Sequence, residues 1–214
     1  MKTEALIEML ARGPAGVAPR AIDRRLGATV AAAVALALIV VLATLHPRPD
    51  LAAAAHLPMF WWKLALPLGV IALSFATARR LASPGRSAGW ATAVGAALLV
   101  VLWAVAVVDV ASSPPASRAA RVLGHSALPC VALITVLALP VLAALFVVLR
   151  GLAPTHLRAA GMAAGALAGG IAAAAYEIHC DEMALPFVAV WYVLGMALPA
   201  GLGALLAPRW LRWS

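Results

Sequence analysis

Apolar positions along the chain run together in six long blocks, 26–45, 58–78, 90–111, 127–149, 159–178 and 185–206, separated by short polar connections. Each is about the 20 residues that a helix needs to cross a bilayer. The pattern predicts an all-α polytopic membrane protein of six transmembrane helices. It divides into a polar arm over 1–25, a six-helix domain over 26–206 and a short tail over 207–214. The connections leave no room for a second soluble domain.

Proline and glycine refine the picture. Pro58, Pro129 and Pro186 stand at the openings of the even-numbered spans, where a missing N–H costs nothing. Pro67, Pro140 and Pro199 lie inside the same three spans and should kink them. The spans therefore read as three helical hairpins, each returning through a kinked helix. Gly161, Gly165 and Gly169 recur at four-residue spacing on one face of the fifth span. Such a small-residue stripe lets a neighbouring helix approach closely.

Composition sharpens the class. The chain of 214 residues is 65% hydrophobic and 11% charged, which excludes both a soluble globule and a disordered chain. Its net charge of +8 would suggest nucleic acid in a soluble protein. Placed on the spans, the charges say something else. With the N-terminus inside, twelve Lys and Arg fall on the inner side. Only Arg48, Lys63, Arg118 and Arg121 fall on the outer side. The positive-inside rule then puts both termini in the cytoplasm, so the high net charge is an orientation signal rather than a sign of direct nucleic-acid contact. Glu4, Glu8 and Asp23, together with the length of the first apolar run, read against a cleavable signal peptide.

Within the arm, Thr3 can cap a short helix over 4–12. Leu6, Ile7, Met9 and Leu10 form its apolar side, and Glu4, Glu8 and Arg12 line the other at i, i+4 spacing. Gly13-Pro14 ends it and a flexible tether follows. So short a helix is marginal alone in water and forms on a partner.

Polar chemistry gathers on the outer face. Four of five histidines, His46, His56, His125 and His179, fall there, as do both cysteines. Cys130 opens the fourth span, and Cys180 sits in the turn Glu177-Ile178-His179-Cys180-Asp181-Glu182-Met183. Three readings stand side by side. The pair can form a disulfide in an oxidising compartment. The two thiolates can bind a soft ion (Cu, Zn or Cd) with His125, His179, Glu177, Asp181 or Glu182. Or they are two unconnected thiols used in packing. Lys63, a few residues into the second span, needs a partner or a route to the headgroups; Asp109 and Glu177, both at outer span ends, are the candidates for an intramembrane ion pair.

No metalloprotease, Walker or nucleophile-elbow motif is present in the sequence, so the chain does not read as an enzyme, and no cofactor is obligatory. A small metal-ion transporter and a structural membrane subunit are the alternatives to a regulator.

The segments MKTEALIEML, PMFWWKLALP, Cys130 at the head of the fourth span, HCDE after the fifth and FVAVWYVLGMALPAGLGALLAPRWLRW at the end together resemble the NrsF family of membrane anti-sigma factors. The resemblance implies a protein that holds an extracytoplasmic-function sigma factor inactive at the inner membrane. It also implies release by a metal or oxidant stress sensed through Cys130 and Cys180. Leu6, Ile7, Met9 and Leu10 of the arm become the candidates for sigma binding.

Overall fold

The computed structural model describes residues 19–82, 87–152 and 154–212. The helix expected over 4–12, with its sigma-binding candidates Leu6, Ile7, Met9 and Leu10, lies outside these described residues. Among them no strand occurs, and six helical segments are long and apolar enough to cross a membrane.

Helix α1 (Pro19–Val40) runs on through a π-helical turn at Val41–Leu45. It starts ahead of the apolar run, so residues 19–25 belong to the helix rather than to the arm. Ile22 and Leu26 explain this, because both are buried against the bundle. A single turn, α2 (Leu51–Ala54), interrupts the first connection, and α3 (Pro58–Leu81) and α4 (Trp90–Ser112) follow. A short helix α5 (Pro115–Leu123), absent from the sequence reading, precedes α6 (Ala127–Arg150). Its first residue is a proline, suited to the first helical turn. Its arginines fold back: Arg118 Nε and Nη2 donate to the carbonyls of Ser113 and Ala111, and Arg121 pairs with Asp109 at 2.7 Å.

The fifth span, α7 (Leu157–Tyr176), stops before the expected 178. There the backbone N–H of Arg48 donates to the carbonyl of Ile178 at 3.0 Å, and the chain turns away from the helix axis. The last span, α8 (Leu185–Trp210), begins with one α-helical turn, loosens into a π-helical segment at Val188–Tyr192 and returns to α-helix. It carries on through Pro208, so residues 207–210 are helix rather than tail. Ala207 and Leu211 bury that end.

Packing is organised around α7 rather than as three equal hairpins. This helix packs most extensively on α8, then on α3 and α6, and to a smaller extent on α1. Within the expected first pair, α1 and α3 touch little, and α4 and α6 hardly meet; only α7 and α8 form a close hairpin. Backbone proximity is the reason. A Cβ at Gly161 would fall on the carbonyl oxygen of Gly203, and one at Gly165 on the carbonyl oxygen of Pro199. The glycine stripe thus brings two backbones into direct contact, where dispersion and weak polar contacts operate without water.

Burial follows the same geometry. Of the most apolar stretch of α7, 78% is buried inside the bundle, against 11% for α4. Val100, Val101, Val105, Val107 and Val108 of α4 are exposed, an apolar surface of the kind that meets lipid or a partner. Trp61, Trp62, Trp90 and Trp210 are exposed as well.

Candidate functional site

The connections before α3, before α6 and before α8 meet at one end of the bundle, and the polar side chains converge there. Cys130, on the first turn of α6, is fully buried. Cys180, beyond the end of α7, is almost so. Both are free thiols, each close enough to the other to bear on its ionisation. Fifty residues of sequence are closed into one contact.

Around this pair stands a buried polar cluster. Lys63 Nζ lies 3.3 Å from Glu177 Oε2 and donates to the carbonyl of Cys180 at 3.1 Å. The same ammonium sits 4.8 Å from the ring centroid of Tyr192, a cation–π distance. Tyr192 Oη donates to Glu177 Oε2 at 3.1 Å. Among the described residues, Glu177 Oε1 is buried with no hydrogen-bond partner. Burial pushes the Glu177 carboxyl up to about 7, against the pull of Lys63. The Cys180 thiol moves the other way: a hydrogen bond from Cys130, then the charge of Lys63, hold it well below the ordinary thiol range in spite of burial. The π-helical segment of α8 carries Tyr192 into the cluster. It also exposes the Ala189 carbonyl, which accepts from Trp103 Nε1 at 2.9 Å, while Trp191 Nε1 donates to the carbonyl of Val122 at 2.7 Å. Segments of this kind recur at functional positions because they redirect side chains and free carbonyls.

A second cluster flanks the first. Glu182 Oε1 accepts from the backbone N–H groups of His125 and Ser126, at 2.7 and 3.2 Å, and from His125 Nδ1 at 2.9 Å. His125 Nε2 lies 3.2 Å from Asp181. Glu182 therefore caps the N-terminus of α6, directly ahead of Cys130, from the loop that holds Cys180. Gly124 has φ +56°, and a Cβ there would fall on the Glu182 carboxylate. Glycine meets both demands.

Arg48 completes the wall. It grips Asp50 through Nε and Nη2, at 2.6 and 2.7 Å, and donates from Nη1 to the carbonyl of Cys180 at 3.2 Å. The Arg48 side chain is buried, and the Asp50 carboxyl beside it is held below the ordinary carboxylate range by their hydrogen bond. His46 has φ 63°, and its carbonyl faces His179 Nδ1 at 3.0 Å. These residues line a cavity of about 830 Å³ with Cys180 among its walls.

The sequence-derived candidates therefore divide. Cys130 and Cys180 meet. His125, Asp181 and Glu182 form the capping cluster, His179 turns to the His46 backbone, and Glu177 joins Lys63. Asp109 does not: Arg121, on the adjoining short helix, takes both of its oxygens. Among the described residues no three His, Cys, Asp or Glu side chains converge as a metal site, and the Lys63 ammonium stands against Glu177 and the Cys180 carbonyl.

The profile of the family described as negative regulator of sigma F, NrsF, matches residues 10–213. The chain belongs to the NrsF family. Among NrsF relatives, a probable anti-sigma-F factor of Azospira oryzae is 39% identical and the anti-sigma-F factor of Caulobacter vibrioides 38% identical, each over the full length of both chains. No solved structure matches the chain.

Sequence reading missed Tyr192, Arg48 and Gly124 as parts of the site. Arg48 carried a faint signal, since Arg-Pro-Asp places a carboxylate two residues on. Tyr192 carried none, because a Trp-Tyr pair near a span end reads equally well as an interfacial belt.

Proposed function

We propose that the chain sequesters a sigma factor of the extracytoplasmic-function class, the sigma-F partner carried in its relatives' names. It does so at the bacterial inner membrane, with both termini in the cytoplasm, and oxidation of Cys130 and Cys180 at the periplasmic end releases the sigma factor. Six membrane-length helices and the inward bias of Lys and Arg support the placement. The observation that carries the sensing role is the contact of two free thiols beside a cavity. A disulfide requires the two sulfurs to close to ~2.05 Å.

Disulfide chemistry fits the arrangement better than metal ligation. A cation would have to displace or face Lys63, which sits against Glu177 and the Cys180 backbone. Bond formation draws the first turn of α6 toward the 177–184 loop. That loop is tied to α8 through Tyr192 and to α6 through Glu182. Closure thus reaches several helices at once. It changes the grip on the sigma factor only in so far as the two states differ in affinity for it. The N-terminal arm, with Leu6, Ile7, Met9 and Leu10, is the proposed sigma-binding element.

Sigma-dependent transcription in a Cys130→Ser, Cys180→Ser double variant, measured across oxidants and metal salts, tests the sensing role. Loss of induction is expected, and an unchanged response would overturn it. Deletion of residues 1–12 should release the sigma factor constitutively; retained repression would move the binding element to the inner loops.

A further inference from the structure

The two thiols of the pair are not equivalent. Cys130 is sealed within the first turn of α6 and does not border the cavity. Cys180 does, from the floor of a space of about 830 Å³. The surrounding groups also favour one sulfur. Cys130 is placed to hydrogen-bond to the Cys180 sulfur, and the Lys63 ammonium stands beside the same residue, 3.1 Å from its carbonyl. Donors and a cation stabilise a thiolate, which is the nucleophilic form of cysteine.

We propose that Cys180 is the thiol that meets the oxidant, that Cys130 resolves the product into the disulfide, and that Lys63 positions and charges the site for the first step. This assignment rests on the redox reading above and deepens it. The oxidant class is a hydroperoxide. The Cys180 thiolate attacks the distal peroxide oxygen and an S–O bond forms. The O–O bond breaks, and the leaving oxygen takes a proton and departs as water from hydrogen peroxide or as the alcohol from an organic hydroperoxide. Cys180 is then a sulfenic acid. Cys130 attacks the Cys180 sulfur, the S–S bond forms, and the sulfenic hydroxyl leaves as water with the Cys130 proton. Two thiols are oxidised by two electrons and one peroxide is reduced.

The test uses the full-length protein in membrane vesicles, treated with hydrogen peroxide and a sulfenate trap, with the adduct mapped by mass spectrometry. In Cys130→Ser, where the serine hydroxyl still supplies a donor, the trap should mark Cys180. In Cys180→Ser, Cys130 should be marked at least about tenfold less. The wild-type chain gives an independent reading, because iodoacetamide should alkylate Cys180 before Cys130. Lys63→Met should raise the pH midpoint of Cys180 alkylation. Assayed below that midpoint, the reaction should slow about tenfold for each pH unit the midpoint rises, and Lys63→Arg should restore it. Earlier or equal marking of Cys130 overturns the order. An unchanged alkylation profile in Lys63→Met overturns the role of the lysine. If peroxide yields no Cys130–Cys180 disulfide in the wild type, the redox reading falls and this assignment with it; a disulfide formed in the reverse order sinks the assignment alone.

Discussion

Lys63 Nζ stands 3.3 Å from Glu177 Oε2, and neither side chain reaches solvent. A charge drawn from one helix and its counter-charge from the end of another lock α3 to α7 beside the thiols. Removing one member leaves the other buried and unpaired, which typically costs about 3–5 kcal/mol. Lys63→Met and Glu177→Gln should each lower thermal stability in detergent. The double variant should recover much of the loss, since an uncharged pair leaves no orphan. A double-mutant cycle without coupling would rule out the pairing as a stabilising contact.

Glu177 also predicts a pH dependence. Its folded-state pKa, raised to about 7, lies above the 4.5 of the free carboxyl. Between these values the folded protein holds more protons than the unfolded chain, so stability falls as pH rises across that window. The burial cost of the charged form is absent below the lower value and complete above the upper one. Glu177→Gln should flatten this slope, as read by melting temperature from about pH 4 to about pH 8.

At the head of α6, Glu182→Ala removes the acceptor of the His125 and Ser126 N–H groups. Caps of this kind contribute about 1 kcal/mol. The larger effect should fall on the thiols, because the same contact holds the Cys180 loop against the turn that bears Cys130. The yield of Cys130–Cys180 disulfide under mild oxidation should drop in Glu182→Ala and change little in Glu182→Gln.

The α7–α8 contact leaves no room for side chains. Gly165→Leu should prevent normal assembly, because even a Cβ there falls on the Pro199 carbonyl. Gly201→Ala, on the same α8 but with nothing near its Cβ, should be neutral. Over-packing of this type costs about 1–3 kcal/mol where the neighbour can yield, and more against a backbone. Yield of folded protein after detergent extraction separates the two variants.

The six spans were legible because apolar runs of bilayer length are a one-dimensional signal. Cys130 and Cys180 could be placed at the same level for a similar reason, as each flanks a span at the same end. Packing order was not legible. Proline positions suggested three hairpins, whereas the glycines of the fifth span decide which helices touch, and through α8 they draw neighbours that are distant in sequence. The helix α5 escaped notice because its length is far below a span. Asp109 and Glu177 were equally eligible partners for Lys63 by level alone. Only the fold of α5, which brings Arg121 to Asp109, separates them. The π-helical segment that aims Tyr192 at Glu177 is a shift in hydrogen-bond register with no composition of its own.

The most enclosed span, α7, is also the one with the lowest mean hydropathy of the six. Alanine and glycine let other backbones close upon it, and the same residues make it the poorest at partitioning into lipid unaided. Its insertion would lean on helices that precede and follow it in synthesis, α3 and α6 before it and α8 after. The central post of this bundle is then the piece least able to stand in a membrane alone, and the thiol site at its end comes into being only once the whole set has assembled.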